Sequence, residues 1–281
     1  MTPTLAADAF IDLQMHTTYS DGVWTPEQLI DYLVSEQFSL VAITDHERLD
    51  TFAALQQLVA QKPLIILAAA EMSTSWKGEL TDVLCYGFNP EPDTLKDLAQ
   101  DAARRQRKNT REVYENLRKS GYTFPDPDEL IALLEEPSAK QPDALMALLR
   151  KYGYGTGEPS AGKLITDAGC IWATNDLAAV VDAAHQSGAV CLIAHPGRGG
   201  EFTIYDVSRL DELRKHVPID GIEAYYPAHT PAQTAMYLDY AQKHKLLVSS
   251  GSDSHGPNRK PIKYRAELSK KLLERLGIQV K

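Results

Sequence analysis

The sequence is short of cysteine, long apolar runs and basic charge, and each shortage removes a class of protein. Only three of its 281 residues are cysteine. Cys85, Cys170 and Cys191 are odd in number, far apart and without C-x-x-C spacing, which argues against a disulfide framework and a thiolate zinc site. They are expected to be reduced and mostly buried. No apolar stretch approaches the eighteen or so residues that a membrane span requires. The opening "MTPTLAADAF" has no basic segment followed by an apolar one, so the expected location is cytoplasmic. The formal net charge of −9 argues against an extended, sequence-independent grip on nucleic acid, which rests on many Lys/Arg–phosphate contacts. One small phosphorylated substrate is still compatible, because local positive potential or bound cations can hold a phosphate on an acidic protein.

What is present is enough apolar residue, 43%, to bury one sizeable core or two smaller ones. Apolar runs rich in Ile, Val and Leu recur as "AFIDLQMH", "SLVAITDH", "LIILAAAEMS", "ELTDVLCYG", "VCLIAHPG", "GIEAYYP" and "LLVSSGSDSHG". Runs apolar throughout suggest buried, mainly parallel strands, and helix-like segments separate most of them. Thr25-Pro26-Glu27-Gln28 and Thr230-Pro231-Ala232-Gln233 each offer a Thr cap, Pro at the first helical position and Gln three residues on. Another helix is expected from near Asn175 or Asp176 to Gly188. This alternation predicts an α/β fold. From about Pro92 to Trp172 the strand signal disappears, and "AARRQRKNTREVYENLRKSGY", "LIALLEE" and "PDALMALLRKYGYG" predict a helical insertion.

Most of the apolar runs stop on, or contain, a residue able to bind a metal: His16 with Asp21 following, Asp45-His46, Glu71, Asp82, His195, and Asp253 with His255. In a parallel α/β barrel the C-terminal strand ends share one face, so residues remote in sequence would converge there. Imidazole nitrogens and carboxylate oxygens suit zinc, manganese or iron, and a bridging carboxylate can hold two ions. One histidine after a strand is more often a hydrogen-bonded structural residue than a ligand, but four such ends together shift that balance. His185, His216 and His244 fall within or at the end of helical patterns and are read as structural. Cys191 is read as core.

"HTTYSDG", "AITDH", "AAEMS", "IAHPGR" and "GSDSHG", in this order and spacing, resemble the polymerase and histidinol phosphatase (PHP) family, in particular its small stand-alone phosphoesterases similar to 3′,5′-nucleotide bisphosphatases. The resemblance covers about residues 8 to 95 and 172 to 262. It implies a distorted seven-stranded (β/α) barrel in two parts, residues 1–95 and 172–281, with the helical insertion at 96–171 as a cap. It also implies two or three divalent ions: Mn, Fe or Zn, with Mg also compatible. His16, Glu71 and Asp253 resemble one metal subsite; Glu71 and His195 a second, completed by Asp82; Asp21, His46 and His255 a third. Glu71 would bridge.

The family's first strand reads Asp-Leu-His-x-His, whereas this chain has Gln14 at the first histidine, and Asp82 takes the place of another histidine. A glutamine coordinates only through a neutral amide oxygen, so Gln14 is at best a weak ligand. Asp82 adds charge and a hard oxygen, favouring manganese or magnesium relative to zinc. Asp21, Glu71, Asp82 and Asp253 together would repel strongly without a cation.

The function expected is metal-dependent hydrolysis of a phosphate ester of a small substrate, a nucleotide or short oligonucleotide, by metal-activated water. Arg198 and His229, just past strand ends, are candidates to bind phosphate, with His229 as an acid for the leaving group. Lys163, with Arg104, Arg105 and Arg111, is a candidate phosphate contact in the insertion, where Gln141-Pro142-Asp143 replaces the family's Arg-Pro-His-like stretch. Two other readings stay open: a catalytically weakened domain binding metal or nucleotide, and a metal-dependent hydrolase of a non-phosphate bond.

Overall fold

The structure is a computed structural model and describes residues 3–89, 91 and 93–281; Pro92, where the strandless stretch was read to begin, lies outside them. The chain divides into two compact units, residues up to Ala99 together with Thr174–Lys281, and Gln100–Ala173.

The larger unit is mixed α/β. One sheet has five strands in the order Leu247–Ser250, Gly221–Tyr225, Val190–Ile193, Val83–Tyr86, Ala69–Met72. A second has four, in the order Tyr264–Arg265, Phe10–Asp12, Leu40–Ala42, Ile65–Leu67. Among the described residues these pairings close no sheet, so the seven-stranded barrel is not found as one continuous ring. The two sheets meet through single bridges, Met15 with Ser254 and His46 with Glu71. Three apolar clusters pack this unit, around Ile222 and Val181, around Leu13 and Leu84, and around Met15 and Ile43.

The strands are not all parallel. Val83–Tyr86 runs antiparallel to both neighbours, pairing Val83 with Met72 and with Ile193. The cause is a tight reversal between the strands Thr74–Trp76 and Glu79–Leu80, where Lys77 and Gly78 both hold positive φ, 53° and 81°. Two consecutive left-handed residues make a type I′ turn, whose twist suits a hairpin. The chain therefore returns immediately instead of crossing over through a helix. Asp82 precedes its strand, and the reversal puts that start beside the C-terminal ends of its neighbours.

The helix starts follow their sequence signals. Pro26–Ser35 and Pro231–His244 each carry a reciprocal capping box from Thr25 with Gln28 and Thr230 with Gln233. Leu177–Gln186 is capped by Asp176, which accepts from the Ala179 N–H. The smaller unit is helical, with Glu129–Glu135, Gln141–Lys151, Ala161–Asp167 and most of Thr94–Lys119 packed around Val113, Leu117, Leu145 and Leu149. No helix among the described residues is long and apolar enough to cross a membrane.

Gly251, after the strand Leu247–Ser250, shows how tightly the larger unit is packed below its strand ends. A Cβ there would lie 2.5 Å from Gln14 Cβ and closer still to Glu223 Oε1. Gly251→Ala is expected to cost about 1–3 kcal/mol of stability through this overpacking. A lowered urea midpoint with unchanged slope would show it; an unshifted midpoint would mean that the neighbours give way freely.

Candidate metal centre

Buried acids outside the cluster fix the segments that carry its members. Asp45, at the end of the second apolar run, accepts from the Thr17 N–H and Oγ1–H and from Ser20 Oγ, each at 2.7 Å. These bonds hold the turn between His16 and Asp21. Asp12 accepts backbone N–H groups of Gln14 (3.3 Å), Ser252 (3.0 Å) and Ile262 (2.9 Å), tying the first strand end to the segment that bears Asp253 and His255. Burial pushes its carboxyl up to about 7 in spite of these donors. Glu223, an acid in the apolar strand Gly221–Tyr225, accepts the His195 N–H at 2.9 Å. His195 and Asp253 hold positive φ, 29° and 51°, backbone conformations that non-glycine residues adopt only when their surroundings impose them.

On this frame the sequence-read candidates converge around Glu71, which is fully buried. Glu71 Oε1 lies 2.9 Å from His195 Nε2, which is 3.8 Å from Asp82 Oδ2. Glu71 Oε2 lies 3.0 Å from His16 Nε2, which is 3.2 Å from Asp253 Oδ1. Asp21 Oδ2 lies 3.2 Å from His255 Nε2 and 3.9 Å from His46 Nε2. The His16 ring stacks on those of His46 and His255, with centroids 4.8 and 4.3 Å away.

This donor set fits divalent ions. Within this cluster three groups of ligand atoms lie close enough to share a cation: His16, Asp21, His46 and His255; His16, Glu71 and Asp253; Glu71, Asp82 and His195. His255 Nδ1 donates to the Asp253 carbonyl at 2.8 Å, so a neutral ring turns its Nε2 lone pair onto Asp21. Both ring nitrogens of His16 are buried without a well-formed hydrogen bond although carboxylates face them. Lone pairs facing lone pairs need a cation or protons between them.

The charges show the same demand. Burial opposes it, yet Glu71 and Asp21 carry the His46 imidazole up to about 9. Against burial, Asp253 and Glu71 raise His16 well above its ordinary value. Burial and the Glu71 charge push the Asp82 carboxyl up to about 7. In the metal-free state protons balance the carboxylates, and an ion that takes neutral imidazoles as ligands displaces them.

Other candidates fall into place differently. Gln14 Nε2 donates to Glu71 Oε2 at 3.0 Å, and its Oε1 is buried without a partner. Arg198 stacks on Phe202, 39% exposed, with Nη1 3.9 Å from Asp253 Oδ2. The sequence reading missed Arg259, whose Nη2 is 2.9 Å from Asp253 Oδ2 and 2.9 Å from Tyr226 Oη. Its position four residues after His255 was the available signal. Lys163 is exposed and pairs with Asp167 in its own helix, while Arg104 and Arg105 pair with Asp101.

His229, read as a candidate phosphate contact and acid, is bonded to backbone at both ring nitrogens. Its Nδ1 donates to the Ala224 carbonyl at 3.1 Å and its Nε2 accepts the Gly197 N–H at 3.0 Å. Burial lowers its pKa, so the ring is neutral with both nitrogens committed to backbone. With Gln233, which donates to the Gly197 carbonyl at 3.1 Å, it braces the segment carrying His195 and Arg198.

No family model matches the chain. Its fold is similar to that of a protein from Bifidobacterium adolescentis assigned as a metal-dependent phosphoesterase, with TM-score 0.74 and 20% identity, covering 96% of this chain and 98% of that one. It is also similar to a two-domain Bacteroides vulgatus protein containing a PHP-like phosphoesterase, at TM-score 0.52 and 11% identity, over 98% of this chain and 66% of that one. Its fold thus resembles that of proteins described as PHP-like metal-dependent phosphoesterases. In sequence it is similar to 5′-3′ exoribonuclease Rnm of Salmonella typhimurium, 28% identical over 260 residues, 88% of this chain and 85% of the relative. It is likewise similar to the 3′,5′-nucleoside bisphosphate phosphatase of Chromobacterium violaceum, 25% identical over 274 residues, 89% of this chain and 88% of the relative.

Two outcomes follow. Stripping metal with a chelator is expected to lower the melting temperature, and Mn²⁺ at about 100 times its Kd should restore about 2.7 kcal/mol; a melting curve indifferent to both would rule out a cation within the cluster. His229→Ala is expected to reduce turnover and stability while leaving the shape of the pH–rate profile intact. Loss of one limb of that profile would instead return His229 to acid catalysis.

Proposed function

We propose that the chain is a metal-dependent phosphoesterase hydrolysing a phosphate ester of a nucleotide or a short oligonucleotide. The observation that carries this reading is the convergence of four imidazoles and four carboxylates on one buried centre, with two guanidinium groups at its edge. The relatives, a bisphosphate phosphatase and an exoribonuclease, supply the substrate class.

In this reading His16, Asp21, His46, Glu71, Asp82, His195, Asp253 and His255 are the candidate metal ligands, with Glu71 shared between two of the three groups, and Gln14 is not one of them. Manganese, iron, zinc and magnesium all suit such nitrogen and oxygen donors. Ions bound there would lower the pKa of a bound water and take up charge on the phosphoryl oxygens. The chain's own contribution is orientation. Arg198 is held by Phe202 and the Gly197 brace, and Arg259 by Asp253 and Tyr226, so both present fixed N–H groups suited to phosphate oxygens. Among the described residues no side chain at the centre is assigned the role of nucleophile in this reading.

The finer architecture belongs to the same proposal. The Leu13 N–H bonds the Ser250 carbonyl at 3.0 Å and the Glu71 N–H bonds the Thr44 carbonyl at 3.1 Å, linking both edges of the five-stranded sheet to the four-stranded one. These links support reading the strands as a distorted seven-stranded barrel. Residues 96–171 form the helical insertion of this reading, and the protein acts in the cytoplasm.

The test is phosphate release from mononucleotides, 3′,5′-bisphosphonucleotides, short oligonucleotides and histidinol phosphate with added Mn²⁺. Release is expected from the nucleotide members and should fall by more than about 100-fold in His255→Ala. Arg198→Gln should raise KM by about 10-fold, as for a lost charged hydrogen bond, with a smaller effect on kcat. No release from any member, with metal bound, would favour a binding module or non-phosphate hydrolysis.

A further inference from the structure

The three groups of ligand atoms are not equivalent, because the protein itself supplies positive charge to only one of them. In the group His16, Glu71 and Asp253, Glu71 Oε2 already accepts the Gln14 amide N–H at 3.0 Å, and Asp253 Oδ2 already pairs with the Arg259 guanidinium at 2.9 Å. Both carboxylates there are therefore partly compensated before any ion arrives. In the other two groups, Asp21 and Asp82 have only imidazoles as ion-pair partners among the described residues.

Gln14 adds a second obstacle. Rotating its amide to bring Oε1 onto an ion would break the bond to Glu71 and set two acceptor oxygens about one hydrogen-bond length apart. Keeping the bond leaves an N–H donor pointing at the carboxylate oxygen that a third ion would need. A neutral amide oxygen is in any case a weaker donor than imidazole or carboxylate for a transition-metal ion.

Resting on the metal-centre reading above, we infer that the cluster holds two divalent ions firmly and leaves the position between His16, Glu71 and Asp253 without a tightly bound third. The firm positions are Glu71 Oε1 with Asp82 and His195, and Asp21 with His46 and His255. Gln14 sets the count. It acts as a positioning residue that orients Glu71 through its amide.

The experiment loads the full chain with Mn²⁺, removes loose metal by gel filtration and counts manganese per chain by atomic emission. The same is done for Gln14→His and for Gln14→Glu, which keeps the side chain's shape. The wild type is expected to retain about two ions and either variant about three. Gln14→Glu should also show a larger Mn²⁺-induced rise in melting temperature than the wild type, and that rise is read even if Gln14→His fails to fold. One or three retained ions in the wild type would overturn the inference while leaving the metal centre standing. A folded Gln14→Glu that still holds two ions, with no larger rise, would overturn it as well. No retained ion in any form would instead remove the metal-centre reading itself.

Discussion

A carboxylate with no solvent and several positive claimants is the constraint on which this site depends. Glu71 is fully buried, and its two oxygens face opposite sides of the centre, Oε1 toward His195 and Oε2 toward His16 and Gln14. An isolated ionised carboxylate in such a place is prohibitively costly, so its neighbours must supply charge. Imidazoles surround it from three different segments, and each brings its own carboxylate. The result is an assembly in which no member is stable in its charged form without the others, and protons or cations fill the balance. This is why the candidates lie far apart in sequence yet within a few ångströms in space.

Such a centre needs a rigid rim, and the rim is built from backbone. Asp12, Asp45 and Glu223 are buried acids that accept backbone N–H groups next to His16, Asp253 and His195. They hold the peptide chain, leaving the cluster's side chains free to face inward. The positive φ at His195 and Asp253 is the cost of turning two strand ends sharply enough to meet. The hairpin turn at Lys77-Gly78 serves the same end by a different route, since it delivers Asp82 from the start of a strand where a crossover would have required the end of one.

The legible part of this architecture was the part written as local pattern. Apolar runs ending in His16, His46, His195 and His255 located the centre, and the Thr-Pro-x-Gln signals at Thr25 and Thr230 located two helix starts. What escaped was whatever depends on chain direction or on a partner remote in sequence. An apolar run such as "VLCY" carries no mark of parallel or antiparallel pairing, so the reversal of Val83–Tyr86 came only from the positive φ pair before it. His229 read as an acid because an isolated histidine after a strand looks available. The Gly197 N–H, remote in sequence, and the Ala224 carbonyl at the end of the preceding strand hold both of its nitrogens. Arg259 was overlooked because a basic residue in "GPNRK" reads as a solvated loop until Tyr226 and Asp253 are placed beside it.

An acidic chain and a nucleotide substrate are physically compatible on this arrangement. Extended nucleic-acid binding needs many cationic contacts spread along a backbone, and a net charge of −9 weighs against that mode. Hydrolysis at one phosphate needs positive potential at a single point. Here that potential is local and stiff: Arg198 and Arg259 are held over Phe202 and Tyr226, and any ions in the cluster would add to it. The surrounding negative field would then disfavour long polyanions while a focused centre still captured one phosphate. In the proposed reading the acidic balance therefore bears on how much of a substrate the protein can grip, and an enzyme working at one end of a short chain has no need to grip more.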